Sequence, residues 1–179
     1  SVNNAIKKIN SLKRLEAFLF WMYSFCLRGL DGQDVTLVSD KLLVEDYPLG
    51  DYIYDFDIEG YDTPVHIELK RKKTAARTFT LLINAYPTLS INELLKKVIR
   101  INRPNEVNED DGLKLFKWDR LTNKRKWDLY ADFLQGRLIK ILGNSFKSTR
   151  HTFTSTADTL GVALSDQSAL IGNKSRKGS

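Results

Sequence analysis

Between Ser11 and Gly29 the chain carries Leu12, Leu15, Phe18, Leu19, Met22, Phe25 and Cys26, apolar residues recurring at steps of three and four. That period places them on one face of an α-helix, because a turn takes 3.6 residues. Ser11 reads as the N-cap, and Gly29 and Gly32 stop the run. A stripe holding Phe, Trp and Met buries a large area, so this helix is predicted to be central, and its aromatic residues to be core packing. The apolar stretch from Ala17 to Leu27 is interrupted by Ser24 and falls well short of the ~20 residues of a membrane span. The chain therefore has to fold around this segment in water.

The elements after it follow from period and punctuation. Residues 36–39, Asp51 to Ile58, Pro64 to Arg71 and Thr78 to Asn84 read as short strands, broken by Gly50, Gly60 and the turn at Lys73 to Ala76. Ser90 is predicted to cap a helix through Ile91, Leu94, Leu95, Val98 and Ile99 that ends at Pro104. Trp127, Tyr130, Leu134, Leu138 and Ile141 mark another helix, ended by Gly143, and two shorter ones are expected from Ser148 and from Ser165. The fold class this implies is α+β: a mainly helical domain with a small antiparallel β-sheet inserted after the first helix. With 179 residues, 42% of them hydrophobic, the chain is long enough for one cored domain.

Charge is placed unevenly. Asp40, Glu45, Asp46, Asp51, Asp55, Asp57, Glu59 and Asp62 form an acidic stretch with Lys41 as its only base, whereas after Gly112 thirteen Lys and Arg face five acids. The acidic stretch repels a phosphate backbone, and the C-terminal part suits a polyanion. A third cluster, Lys70-Arg71-Lys72-Lys73, ends the alternating run from Val65 and is placed at a hairpin turn. Such runs are often solubilising surface. The net charge of +6 is too small for a polybasic tail. One cysteine, Cys26, permits no intrachain disulfide and fits a reducing compartment, and two histidines with one cysteine leave no zinc cage. The opening SVNNAIKKIN has no apolar core after its lysines and is not a secretory signal, and its serine start suggests a fragment.

The sequence has no Gly-rich phosphate loop, no paired His at metal spacing and no Gly-x-Ser-x-Gly elbow. Two arginines stand in unusual company: Arg28 ends the apolar helix after Phe25-Cys26-Leu27, and Arg150 lies in Phe146-Lys-Ser-Thr-Arg-His-Thr-Phe153. Each could be paired to a nearby acid, Arg28 with Asp31 for instance. If the two converge, they form a fork for one phosphate, since guanidinium planes match phosphate oxygens bidentately.

The segment from Ser148 through Thr-Arg-His-Thr-Phe-Thr-Ser-Thr-Ala-Asp-Thr-Leu-Gly to Val162, followed by Ala169-Leu-Ile-Gly-Asn-Lys-Ser175, resembles the second conserved box of the tyrosine recombinases, the phage integrase family. Leu27-Arg28-Gly29-Leu30-Asp31 resembles their first box, an arginine at a helix end with an acid three positions on, and the basic hairpin through Lys73-Thr74-Ala75-Ala76-Arg77 is similar to the one carrying their catalytic lysine. The resemblance covers the catalytic domain, 1–179, and leaves no room for a separate N-terminal core-DNA-binding domain. It departs from the family where Lys147 replaces a histidine and Asn173 a histidine or tryptophan. Both remain hydrogen-bond donors, but Asn173 donates no proton. No tyrosine follows Tyr130, so truncation just before the nucleophile is expected, and with it an inactive fragment.

What the resemblance implies is site-specific DNA recombination without cofactor, metal or ATP. A tyrosine attacks a phosphodiester, leaving a 3′-phosphotyrosyl link, and a hydroxyl later reverses the step. Arg28, Arg150 and Lys147 would cradle the phosphorane, with Asn173 beside them. Lys73 would protonate the leaving 5′-oxygen, and Lys70 or Lys72 could be that lysine instead. Lys70, Arg71, Lys72, Arg77, Lys174 and Arg176 would contact double-stranded DNA. The full-length protein would oligomerise on DNA in a bacterial or phage-infected cytoplasm, with no membrane role. The alternative is a non-catalytic double-stranded-DNA-binding module of the same fold. A purely structural helical domain stands last, because it leaves the spaced boxes unexplained.

Overall fold

The computed structural model describes residues 2–38, 64–70, 78–109, 114–118, 120 and 122–171. Among the described residues seven helices and two strands run in the order α1 (Val2–Lys7), α2 (Leu12–Cys26), α3 (Gly32–Val38), β1 (Pro64–Lys70), β2 (Thr78–Asn84), α4 (Ala85–Asn102), α5 (Lys124–Leu142), α6 (Ser148–Thr159) and α7 (Leu164–Leu170). None of these helices is long and apolar enough to cross a membrane.

Helix α2 lies at the centre. Ser11 caps it, its Oγ accepting from the Arg14 N–H at 3.3 Å. Its most buried side chains are Glu16, Ala17, Phe18, Leu19, Phe20, Tyr23 and Ser24, a face rotated from the expected stripe, of which Phe18 and Leu19 are buried, Leu12 is exposed and Leu15, Met22, Phe25 and Cys26 are half-buried. The reason is that α2 is covered on two sides. Ala17, Leu19, Phe20 and Tyr23 pack with Leu95, Val98 and Ile99 of α4 and with Trp127, Tyr130, Leu134 and Leu138 of α5, while Phe18 packs with Ala5 of α1 and Ile141. Each Leu, Ile, Val or Phe among them withdrawn from water contributes about 1.5–3 kcal/mol.

The fully buried Glu16 is matched rather than solvated. Its Oε1 receives Arg103 Nε at 3.0 Å and its Oε2 receives Asn102 Nδ2 at 2.8 Å. The Arg103 guanidinium lies over Phe133 and Tyr130, 4.1 and 4.9 Å from the ring centroids, which ties the end of α4 to α5. Removing one member of such a buried pair strands the other charge, at a cost of about 3–5 kcal/mol.

The α+β expectation is corrected to a mainly helical fold. The described core is built from helices, the turn residues Leu27 and Leu30, and Val107, Leu115 and Phe116 between α4 and α5, and the small sheet expected after the first helix is not seen there. Thr36 to Val38, read as a strand, form the end of α3. The Asp31 carbonyl accepts the N–H groups of Asp34 and Val35 at 2.8 and 2.9 Å, and Thr36 Oγ1 turns back to the Gln33 carbonyl at 2.9 Å. A four-residue run with two apolar residues carries too little period to separate the two states. The strand expected at 51–58 lies outside the described residues. What the described residues do contain is one antiparallel strand pair, β1 with β2, in register from Pro64↔Asn84 to Lys70↔Thr78. A lone pair of this kind is not an independently stable sheet.

Helix α4 also begins earlier than expected, so Ser90 is interior rather than a cap. Pro87 sits in its first turn, where a missing N–H leaves no hydrogen bond unmade. Its end at Asn102 agrees with the stop at Pro104. Helix α5 buries Trp127, Tyr130, Leu134, Leu138 and Ile141, as its spacing predicts, and ends at Gly143 with φ 72°. The helices expected from Ser148 and Ser165 are α6 and α7, the latter starting one residue sooner.

Candidate functional site

The first turn of α6 docks on the C-terminal half of α2. Trp21 Nε1 donates to Ser148 Oγ at 2.9 Å, a pair separated by 127 positions in sequence, and Ser24 Oγ lies 3.3 Å from Thr149 Oγ1. Ser24 is fully buried and its hydroxyl donates to the Leu30 carbonyl at 2.7 Å, which holds the turn after α2 against the same contact. Phe25 meets Phe153 edge to face at 6.1 Å between centroids.

Arg28 sits in that turn. The Arg28 N–H bonds to the Phe25 carbonyl at 2.9 Å and the Gly29 N–H to the Ser24 carbonyl at 2.8 Å, the paired hydrogen bonds of a Schellman helix end. The left-handed position of that motif usually holds glycine, yet here it holds Arg28 at φ 60°. A non-glycine residue there carries about 1–3 kcal/mol of strain, which persists only where the surroundings dictate it. Gly29 follows at φ +69°, and a Cβ on it would fall 2.5 Å from Arg150 Cα and 2.9 Å from Arg150 N. No real Cβ tolerates such a contact, so the two arginine-bearing backbones meet only because residue 29 is glycine.

Two of the expected site arginines are therefore brought together, from opposite ends of the chain. Their side chains are held differently. The Arg28 guanidinium stands 5.9 Å from the Phe153 ring centroid, and Arg150 Nη2 donates to the Ile171 carbonyl at 3.3 Å. Arg150 lines an open cavity of about 210 Å³ with Gly29, Leu30, Asp31, Phe146, Lys147, Thr149 and His151. Lys147 occupies the position before α6 and is exposed on the rim. Arginine, lysine and imidazole so grouped can bind a tetrahedral oxyanion, with one carboxylate, Asp31, at its edge.

Arg71, Lys72, Lys73, Arg77, Asn173, Lys174 and Arg176 lie outside the described residues, and Lys70 closes β1 opposite Thr78. Sequence reasoning did not single out Gly29, Trp21, Ser24 or Thr149 as parts of the site. Only the run Ser148-Thr149 beside Arg150 hinted at them.

Tyr130, the last tyrosine of the chain, is 2% exposed and its ring packs on Phe20, Phe116 and Phe133. Burial, followed by the Glu16 charge, pushes its hydroxyl well above the usual value near 10. It is a core residue and offers no nucleophile. Burial likewise pushes the Cys26 thiol up, away from the reactive thiolate. In comparisons with known proteins, no family model, no curated protein and no solved structure matches this chain.

Proposed function

We propose that this chain carries the phosphate cradle of a tyrosine-type site-specific DNA recombinase, which cuts and rejoins strands through a 3′-phosphotyrosyl intermediate. The observation that supports it most is the contact of Gly29 with Arg150, which joins the Arg28 turn to the first turn of α6 and puts a cationic cavity beside the junction. A tyrosine oxygen attacks phosphorus as its phenolic proton passes to water, the phosphorane gains negative charge, and the 5′-oxygen departs with a proton from a lysine. The phosphodiester is exchanged for a phosphotyrosyl ester of similar energy, so the rejoining hydroxyl can reverse the step. Cationic donors meet the charge where it develops: Arg150 and Lys147 from the cavity, and Arg28 by swinging from the Phe153 face. Lys73 from the basic segment supplies the proton, Lys70 or Lys72 being the other candidates, and Asn173 adds a neutral donor. The partner is double-stranded DNA, on which the full-length protein assembles as an oligomer in a cytoplasm.

The test is strand cleavage by the full-length protein on supercoiled DNA. Arg28→Ala and Arg150→Ala should each lower the rate by roughly 10²–10³ or more, as loss of one transition-state donor does, with a much smaller fall in DNA affinity. Cleavage should persist in EDTA. Wild-type rates in both variants would end the recombinase reading. The burial of Tyr130 and the presence of Lys147 in place of a histidine favour one second reading, a non-catalytic double-stranded-DNA-binding module. A covalent protein–DNA adduct formed by the full-length protein decides against that second reading.

A further inference from the structure

Beside the arginine cavity lies a second one of about 260 Å³, between α3 and α5, with which it shares Asp31, Phe146 and Lys147. Its floor is apolar, from Trp127 and Leu134, and its polar groups include two carboxamides, Gln33 and Gln135. The oxygens of both amides are already engaged by the protein. Gln135 Oε1 accepts the Phe146 N–H at 3.1 Å and Gln33 Oε1 accepts Arg120 Nη1 at 2.5 Å. Those donors fix the amide orientation, so what each side chain has left to offer is chiefly its NH₂.

We infer that this slot is a second backbone subsite, which takes the deoxyribose-phosphate neighbouring the one held by Arg150. The inference rests on the proposed function for the identity of that first phosphate. Neutral NH₂ donors are common partners of DNA phosphate oxygens and carry no sequence information. The apolar floor excludes a free inorganic ion, which would lose hydration against Trp127 and Leu134 with nothing in return. It suits the C–H edge of a sugar. Asp31 opposes an anion at the shared rim, and Lys147 on the same rim offsets it. The shared residues make the two cavities neighbours, the arrangement that consecutive phosphates of a single strand require.

The chemistry supplies an isosteric test. Gln33→Glu and Gln135→Glu each keep the oxygen that accepts from Arg120 or Phe146, so the fold is retained, but replace the NH₂ donor by a repelling oxygen. Affinity of the 179-residue chain for a fluorescent DNA duplex, read by anisotropy, should fall about tenfold or more in each variant, as loss of a hydrogen bond to a charged group does, with an unchanged melting temperature. In the wild-type protein the side-chain NH₂ resonances of Gln33 and Gln135 should shift on adding the duplex. Those of Gln167, whose NH₂ already donates to the Val162 carbonyl at 2.8 Å, should not. Duplex affinity within twofold of wild type in both Glu variants overturns the subsite. Because this readout is binding by the chain and the arginine readout is cleavage by the full-length protein, either idea can fail while the other stands.

Discussion

Helices α2 and α6 end in the same hydrogen-bond pattern, with different residues in the left-handed position. After α6, the Gly161 N–H bonds to the Asp158 carbonyl at 2.9 Å and the Val162 N–H to the Ala157 carbonyl at 3.0 Å. Gly161 has φ 78° and open space around it. After α2, the equivalent pair forms around Arg28 at φ 60°, and the next residue is pressed against Arg150. The α6 end merely stops a helix. The α2 end stops one while projecting a cation from a strained backbone, and Ser24, Gly29 and Thr149 hold the strain in place. Glycine would be easier at that position, and arginine stands there instead.

The largest break in this comparison is Gly29→Ala. A Cβ in the backbone of Arg150, added to the cost of φ +69°, should destabilise the fold by about 3 kcal/mol and displace the first turn of α6, as measured by urea denaturation and by loss of the Trp21 to Ser148 hydrogen bond in the indole N–H resonance. Gly161→Ala meets only the conformational cost, about 1 kcal/mol. Equal losses in the two variants would mean that the Gly29 contact is not tight.

Arg28→Gly should go the other way. Relief of the left-handed strain leaves stability unchanged or raises it by up to about 1 kcal/mol, while cleavage by the full-length protein is lost. A stability loss larger than that of Gly161→Ala would show that the Arg28 side chain holds the fold rather than serving an anion.

The smallest effect is alkaline. The hydroxyl of Tyr130 titrates well above its unfolded value, so the folded state keeps a proton that the unfolded chain releases. Stability from this group is complete below pH about 10 and declines as pH rises from there through the folded value. Tyr130→Phe should flatten that decline in thermal melts between neutral and alkaline pH, and an unaltered slope would count against a buried, protonated Tyr130.

Much of the helical layout was legible, because apolar period and capping residues act locally. Ser11, Gly143 and the stripe of α5 are examples, and Pro104 bounded α4. The failures share a cause. Residues 36–38 carry too short an apolar run to reveal a helix, and Ser90 resembles a cap though the turn before it is already helical. The buried face of α2 depended on neighbours on both its sides, and Glu16 is inside because Asn102 and Arg103 meet it there, a pairing no period encodes.

For the site, the chain's own pattern was enough to mark Arg28 and Arg150 as residues of interest, since arginine beside core residues is costly without a purpose, whereas Lys147 was marked only by the resemblance. The meeting of the Arg28 turn with the Arg150 backbone came only from tertiary packing. Whether two backbones can touch depends on the absence of a single Cβ at Gly29 and on the left-handed turn before it, and these are properties of two segments held together, with no trace in the order of residues along either one.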